Sequence, residues 1–383
     1  MRWFDFGSIL LTTQMKGAFR MKKSRWLYTA VLLAMVFAFA INGQQSYAAK
    51  DVFKMKFAHI FPGPAKQSQI CEDFVKELEE RTNGRIQTQY LGGGSLLKPP
   101  GMYNGIELGV ADMGFAHVEY TPGRFPVTEV CDLPLGYTSG WVSNMVVNDF
   151  YNKFKPKEFD KVKVLWMHAS TPNVIISTKP VRTLDDLKGL TIRGPGRVGD
   201  TVKAMGASPA PMPIMEVYDG LSKGVIQGVN IPYETLRTFR FAEVAKYVTT
   251  SWQVGNVYTF YVIMNKKSYE KLPPDLKEIL DELAGEYKER FALMWNSIDF
   301  AGRDFAKEKG VEFIELSDDQ VAKWKSVTAP VIDNYIKDMT SKGYTESEVR
   351  GWITFLRERI DFWTKKQIEY RIPSPTGPEA MRP

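Results

Sequence analysis

The chain has 383 residues, 44% hydrophobic and 25% charged, which are ordinary fractions for a globular protein of about two domains. Its formal charge is +6, but six of the 50 basic residues and one of the 44 acidic residues fall within 1–48, and the remainder is close to neutral. That balance excludes an electrostatic case for nucleic acid or for an anionic membrane surface.

The N-terminus has the layout of a secretory signal. Basic Arg20, Lys22, Lys23 and Arg25 precede an apolar run from Trp26 to Ile41, and Ser46-Tyr47-Ala48 is a small-x-small cleavage site. Met21 is an alternative start. The run is short for a membrane span, with an uncleaved anchor as the other reading. No later stretch is long and apolar enough to span a bilayer. The mature protein is therefore expected in the periplasm, with no membrane insertion after cleavage. An oxidising compartment permits a disulfide between Cys71 and Cys131; the alternative is two isolated buried thiols. Neither has the spacing of a redox or metal motif.

In chain order, a strand is expected over 54–60 and a helix over 66–81, with Ile70, Phe74, Val75 and Leu78 on one face. Thr82-Asn83-Gly84 ends the helix. A strand over 85–91, a helix over 102–108 and a strand over 111–117 follow. This alternation predicts an open, largely parallel α/β sheet, whose ligand site lies beyond the C-terminal strand ends. A helix through Val146 and Phe150 leads to a strand over 161–168. A second lobe then begins, with strands near Val174, over 190–193 and over 225–230. Helices are expected over 198–205 and 216–223. Ile231-Pro232-Tyr233 is read as crossing back, and a strand over 258–265 as returning to the first lobe.

Pro273-Pro274 opens a helix whose apolar period runs to about 309, roughly 54 Å at ~1.5 Å per residue, long enough to bridge two lobes. A strand over 312–315 and amphipathic helices over 318–339 and 345–369 complete the pattern. The Pro-rich tail from Ile372 is expected to be loose. The domains expected are a signal over 1–48, lobe I over 49–167 plus 256–290, and lobe II over 168–255 plus 310–340. The bridging helix over 274–309 and a C-terminal helix and tail over 341–383 complete the set.

Gly189-Leu190-Thr191-Ile192-Arg193-Gly194-Pro195 is followed by Met205-Gly206-Ala207-Ser208-Pro209, by Glu216-Val217-Tyr218 and by Leu221-Ser222-Lys223-Gly224. This series resembles the extracytoplasmic solute-binding proteins of TRAP transporters, the DctP type, over essentially the whole mature chain. The resemblance implies a two-lobed periplasmic binding protein with a long lobe-bridging helix, no cofactor and no catalysis. Its partners would be a small-molecule carboxylate and the TRAP membrane permease subunits.

The resemblance also places Arg193 in the interlobe cleft, its planar fork gripping a ligand carboxylate. Asn173 stands where relatives often carry a second Arg, Ile231 where a ligand-binding Asn is common, Phe260 where a polar side chain is common, and His117 where an acid can occur. With Ile214 and Tyr233 these suggest a cleft suited to a smaller or more apolar carboxylate, such as an aromatic acid. The alternative is that they pack a closed hinge.

His59, His117 and His168 fall at or near strand C-termini and are candidates for ligand contact. Trp166, Trp252, Tyr233, Tyr258 and Tyr261 are candidates for a stacking wall or for core. The competing functions are a metal-dependent enzyme holding its ion with the three histidines, and a sensor for a membrane receptor kinase. No nucleophile elbow, phosphate loop or dinucleotide motif is present.

Overall fold

The structure, a computed structural model, describes residues 51–382. The signal sequence, its alternative start and its cleavage site lie outside the described residues. The strands are β1 (Phe53–His59), β2 (Ile86–Leu91), β3 (Met113–His117), β4 (Val162–Ala169), β5 (Val174–Ser177) and β6 (Thr191–Arg193). They continue with β7 (Ser208–Ala210), β8 (Gly228–Ile231), β9 (Tyr247–Thr250), β10 (Thr259–Asn265) and β11 (Glu312–Glu315).

Two sheets form, in the orders β2-β1-β3-β10-β4 and β11-β9-β5-β8-β6-β7. Each is largely parallel, as the alternation of elements implies, but each holds one reversed strand. β10 runs antiparallel to β3 and β4, and β5 runs antiparallel to β8 and β9. The cause is the route of the chain. β4 ends at the cleft, so the chain enters the second sheet there and β5 must start at that end. β10 starts at the cleft for the same reason on the way back. That return runs through residues 251–258. The Ile231-Pro232-Tyr233 segment, read from sequence as the crossing, instead leads to a short helix, Thr235–Thr238, and on to β9 in the same sheet.

The helix Lys66–Arg81 buries Cys71, Phe74, Val75 and Leu78. Asn83 and Gly84, both at positive φ, turn the chain out of it. The helix Pro274–Glu308 begins with proline at its first position, where no amide donor is needed, and runs unbroken for 35 residues. It packs on β4, on the helices Lys66–Arg81 and Gly140–Phe154, and on Thr235–Thr238 of the other lobe. Gly302 permits a close approach there: a Cβ would sit 2.2 Å from the Tyr233 carbonyl oxygen.

Two other expectations are corrected. The helix expected over 318–339 is two, Asp318–Thr328 and Pro330–Ser341, because Pro330 lacks the amide that would continue the first. The tail is fixed rather than loose. The Pro373 and Pro375 carbonyls accept from Asn296 (3.1 Å) and Arg303 (2.9 Å), and Thr376 donates to the Thr138 carbonyl at 2.8 Å. Of the two readings left open for the cysteines, the structure has the isolated one: Cys71 and Cys131 are separate buried thiols. No helix among the described residues is long and apolar enough to cross a membrane.

Candidate functional site

The C-terminal ends of β1, β3, β4, β6 and β8 and the N-terminal ends of β5 and β10 converge on one cleft. It holds a small cavity of about 30 Å³. That is room for a water molecule or two, so a carboxylic acid fits only if the walls move apart.

Arg193, the last residue of β6, reaches this cavity yet is only 2% exposed. Its Nε donates to the Met212 carbonyl at 3.0 Å, one terminal nitrogen donates to the Tyr258 hydroxyl at 2.9 Å, and the other lies 3.4 Å from the Tyr120 hydroxyl. Tyr258 passes its own proton to the Asn230 carbonyl at 2.8 Å, which turns its oxygen lone pairs toward the guanidinium. All these partners are neutral. No carboxylate among the described residues pairs with Arg193, and a guanidinium has five N–H donors, so part of its fork is unused. A buried charge without a counter-ion is costly, and a ligand anion would relieve it.

His117 stands beside this group, edge-on to Tyr258 at 4.8 Å between ring centres. Its Nε2 pairs with Asp132 at 3.1 Å, and the other Asp132 oxygen accepts from the Thr259 amide at 2.8 Å. Burial lowers the His117 pKa; the Asp132 carboxylate opposes that effect and the Arg193 charge adds to it. Neutral His117 that donates through Nε2 presents Nδ1 as an acceptor.

The remaining wall is largely apolar. Phe260 faces His117 across one ladder and His168 across the other, and stacks on Trp295 at 5.8 Å. Phe61 closes on Phe260 at 5.9 Å, and Ile214 and Ile231 line the same space. At a second polar place on the wall, Glu234 is 2% exposed, and its backbone amide donates to Asp299 on the long helix at 2.8 Å. Burial pushes the Glu234 carboxyl up to about 8 and that of Asp299 up to about 7.

Of the side chains named from sequence, Arg193, His117, Ile214, Ile231, Tyr258 and Phe260 therefore share the cavity. His59, His168, Asn173 and Tyr233 are not among its lining residues. His59 accepts from the Phe61 amide at 3.2 Å and stacks on Phe115, so it holds the turn that delivers Phe61. Burial lowers its pKa to about 4. His168 lies behind Phe260 in a stack of 4.7 Å and accepts from Trp295 Nε1 at 3.2 Å. Asn173 is buried at the lobe crossing with its amide group unpartnered, and Tyr233 bonds Thr250 at 3.4 Å. The three histidines thus have separate partners. No group of three or more His, Cys, Asp or Glu placed to hold a metal ion occurs among the described residues, so the metal-centre alternative has no ligand set.

Glu234, Phe61, Trp295 and Tyr120 were not foreseen. Trp295 carries the signal of a core position on an amphipathic helix, and Glu234 carries none.

A contact between the lobes lies beside the cavity. The Arg197 amide donates to Glu119 at 2.8 Å and Arg197 Nε to Glu129 at 3.0 Å. Gly196 allows this: its φ is +53°, and a Cβ would fall 1.6 Å from a Glu119 oxygen.

Residues 57–338 match the sequence model of bacterial extracellular solute-binding protein, family 7, DctP. The chain belongs to this family. The family and its structural neighbours are TRAP-type solute-binding proteins, not enzymes. A TRAP periplasmic solute-binding protein from Desulfovibrio salexigens, in an open complex, is 34% identical with a TM-score of 0.70, covering 80% of this chain and 95% of that one. One from Rhodoferax ferrireducens T118, with copurified benzoate, is 27% identical with a TM-score of 0.77 (82% and 99% covered). A marine metagenome protein specific for aromatic acid ligands, in complex with metahydroxyphenylacetate, is 25% identical with a TM-score of 0.77 (81% and 99%).

Proposed function

We propose that this protein captures a small organic carboxylate outside the cytoplasmic membrane, clamps it with Arg193 as the lobes close, and delivers it to TRAP membrane permease subunits. The observation that carries the reading is the buried, cavity-facing guanidinium without an anionic partner. A charge-assisted bond to it contributes on the order of 1.5–3 kcal/mol.

The ligand class we favour is a ring acid. The cavity is small and walled by Phe61, Phe260, Trp295 and two isoleucines, which suits an aromatic face better than a polyhydroxylated chain. Benzoate and metahydroxyphenylacetate in two structural relatives are acids of that kind. Closure follows if the ligand touches both lobes: Arg193 and Ile231 from one, His117 and Phe260 from the other.

The test is titration calorimetry with acids identified by mass spectrometry of material that copurifies, backed by a thermal-shift screen. Arg193→Ala is expected to weaken binding by at least about tenfold. Undiminished affinity in that variant would remove the clamp role.

A further inference from the structure

The cavity has two polar places, not one. Arg193 with Tyr258, Tyr120 and Met212 forms the first. Glu234 forms the second, and none of its neighbours is shared with Arg193. Its amide is held by Asp299 of the long helix, and the Gln67 and Thr238 side chains lie close enough to its carboxyl to lower its pKa against the dominant effect of burial. Neither completes a hydrogen bond of good geometry. Glu234 Oε2 is buried with no partner, and so are both polar atoms of the Gln67 amide, which comes from the first lobe. A buried polar atom left unpaired costs stability, and several at one spot beside a cavity call for an outside group to satisfy them.

We propose that Glu234, with Gln67 beside it, reads a second polar group on the ligand: a neutral hydroxyl remote from the carboxylate held by Arg193. This rests on the carboxylate reading of Arg193 and narrows it to hydroxylated acids. A hydroxyl is the group that fits, because it donates to a carboxylate oxygen or accepts from a carboxylic acid, and can accept from the Gln67 amide in the same pose. A second carboxylate is the group that does not fit. It would face the Glu234 carboxyl, and the one cationic side chain lining the cavity, Arg193, is already engaged by the first carboxylate. Discrimination of this kind is strong, because an analogue without the hydroxyl leaves the buried atoms unpaired.

The test compares dissociation constants for benzoate and phenylacetate, their 3- and 4-hydroxy derivatives, and isophthalate. In the wild-type protein at least one hydroxy acid is expected to bind about tenfold or more tighter than its parent, and isophthalate more weakly than benzoate. The ratio of parent to hydroxy acid is expected to fall toward one in Glu234→Leu and to survive largely in Glu234→Gln, which keeps a polar group in place. Should Glu234→Leu not fold, Gln67→Leu serves for the same ratio and is expected to reduce it. A wild-type ratio near one for every pair, or a preference that persists undiminished in the leucine variant, overturns the proposal while leaving the Arg193 clamp standing. If no carboxylate binds, or if Arg193→Ala binds the acids as well as wild type, the clamp fails and this proposal with it.

Discussion

Two buried polar side chains distinguish the site, and each makes its own prediction. Arg193 keeps a full charge out of water with neutral partners only. Arg193→Met is therefore expected to leave the ligand-free protein no less stable in thermal denaturation while abolishing tight binding. Arg193→Lys keeps the charge but loses the fork and the Nε bond to Met212, so calorimetry should show it much nearer to alanine than to wild type. Glu234 predicts a pH effect. A carboxyl raised from 4.5 to about 8 by burial holds its proton more tightly folded than unfolded, so its contribution to stability is lost as pH rises through that window. The limiting slope is about 1.4 kcal/mol per pH unit for one such group. Glu234→Gln should therefore match wild type near the bottom of the window and exceed it progressively toward the top, as read by denaturant melts. Arg193 was legible in the sequence because a strand-end Arg between glycine turns resembles a family motif. Glu234 was not. It is one acid among 44, and its burial depends on Asp299, which lies 65 residues away in the chain.

At the scale of elements, periodicity located nearly every helix and strand, and the failures share a cause. The reversal of β5 and β10 has no local signature, since strand direction follows from where the chain crosses between sheets. The short strands β7 and β9 are paired by their sheet rather than by their own pattern. The break at Pro330 was written in the sequence, but the apolar period carries straight across it. The proline-rich tail looked loose by composition, yet its carbonyls are what Asn296 and Arg303 need. Removing residues from Pro373 onward should lower the melting temperature by several degrees, since about three hydrogen bonds at ~1 kcal/mol each are lost with the buried Ser374 and Thr376. Gly196→Ala puts a methyl into Glu119 at a positive φ. It should displace the Glu119 carboxylate from the Arg197 amide and so weaken ligand binding in calorimetry relative to wild type.

For the whole molecule, the proposed hinge closure makes contacts across the cleft the terms that would set the balance between open and closed forms. Arg197 of the second lobe engages Glu119 and Glu129 of the first, and Asp338 of a C-terminal helix. Burial raises the pKa of both Glu119 and Glu129, with Arg197 opposing it. Arg197→Met leaves those carboxylates unmatched. Small-angle scattering should then report a larger radius of gyration without ligand, and affinity should fall by a few-fold through the conformational equilibrium alone. The beam from Pro274 to Glu308 adds a mechanical consequence. It is anchored along one half of the molecule, and at Gly302 and Asp299 it is pinned to the backbone of the other, beside Glu234. An axle fastened this way lets a door swing but not slide. In the proposed binding mode the far end of the ligand would therefore sit next to the pivot, and Arg193 would travel on the swinging edge.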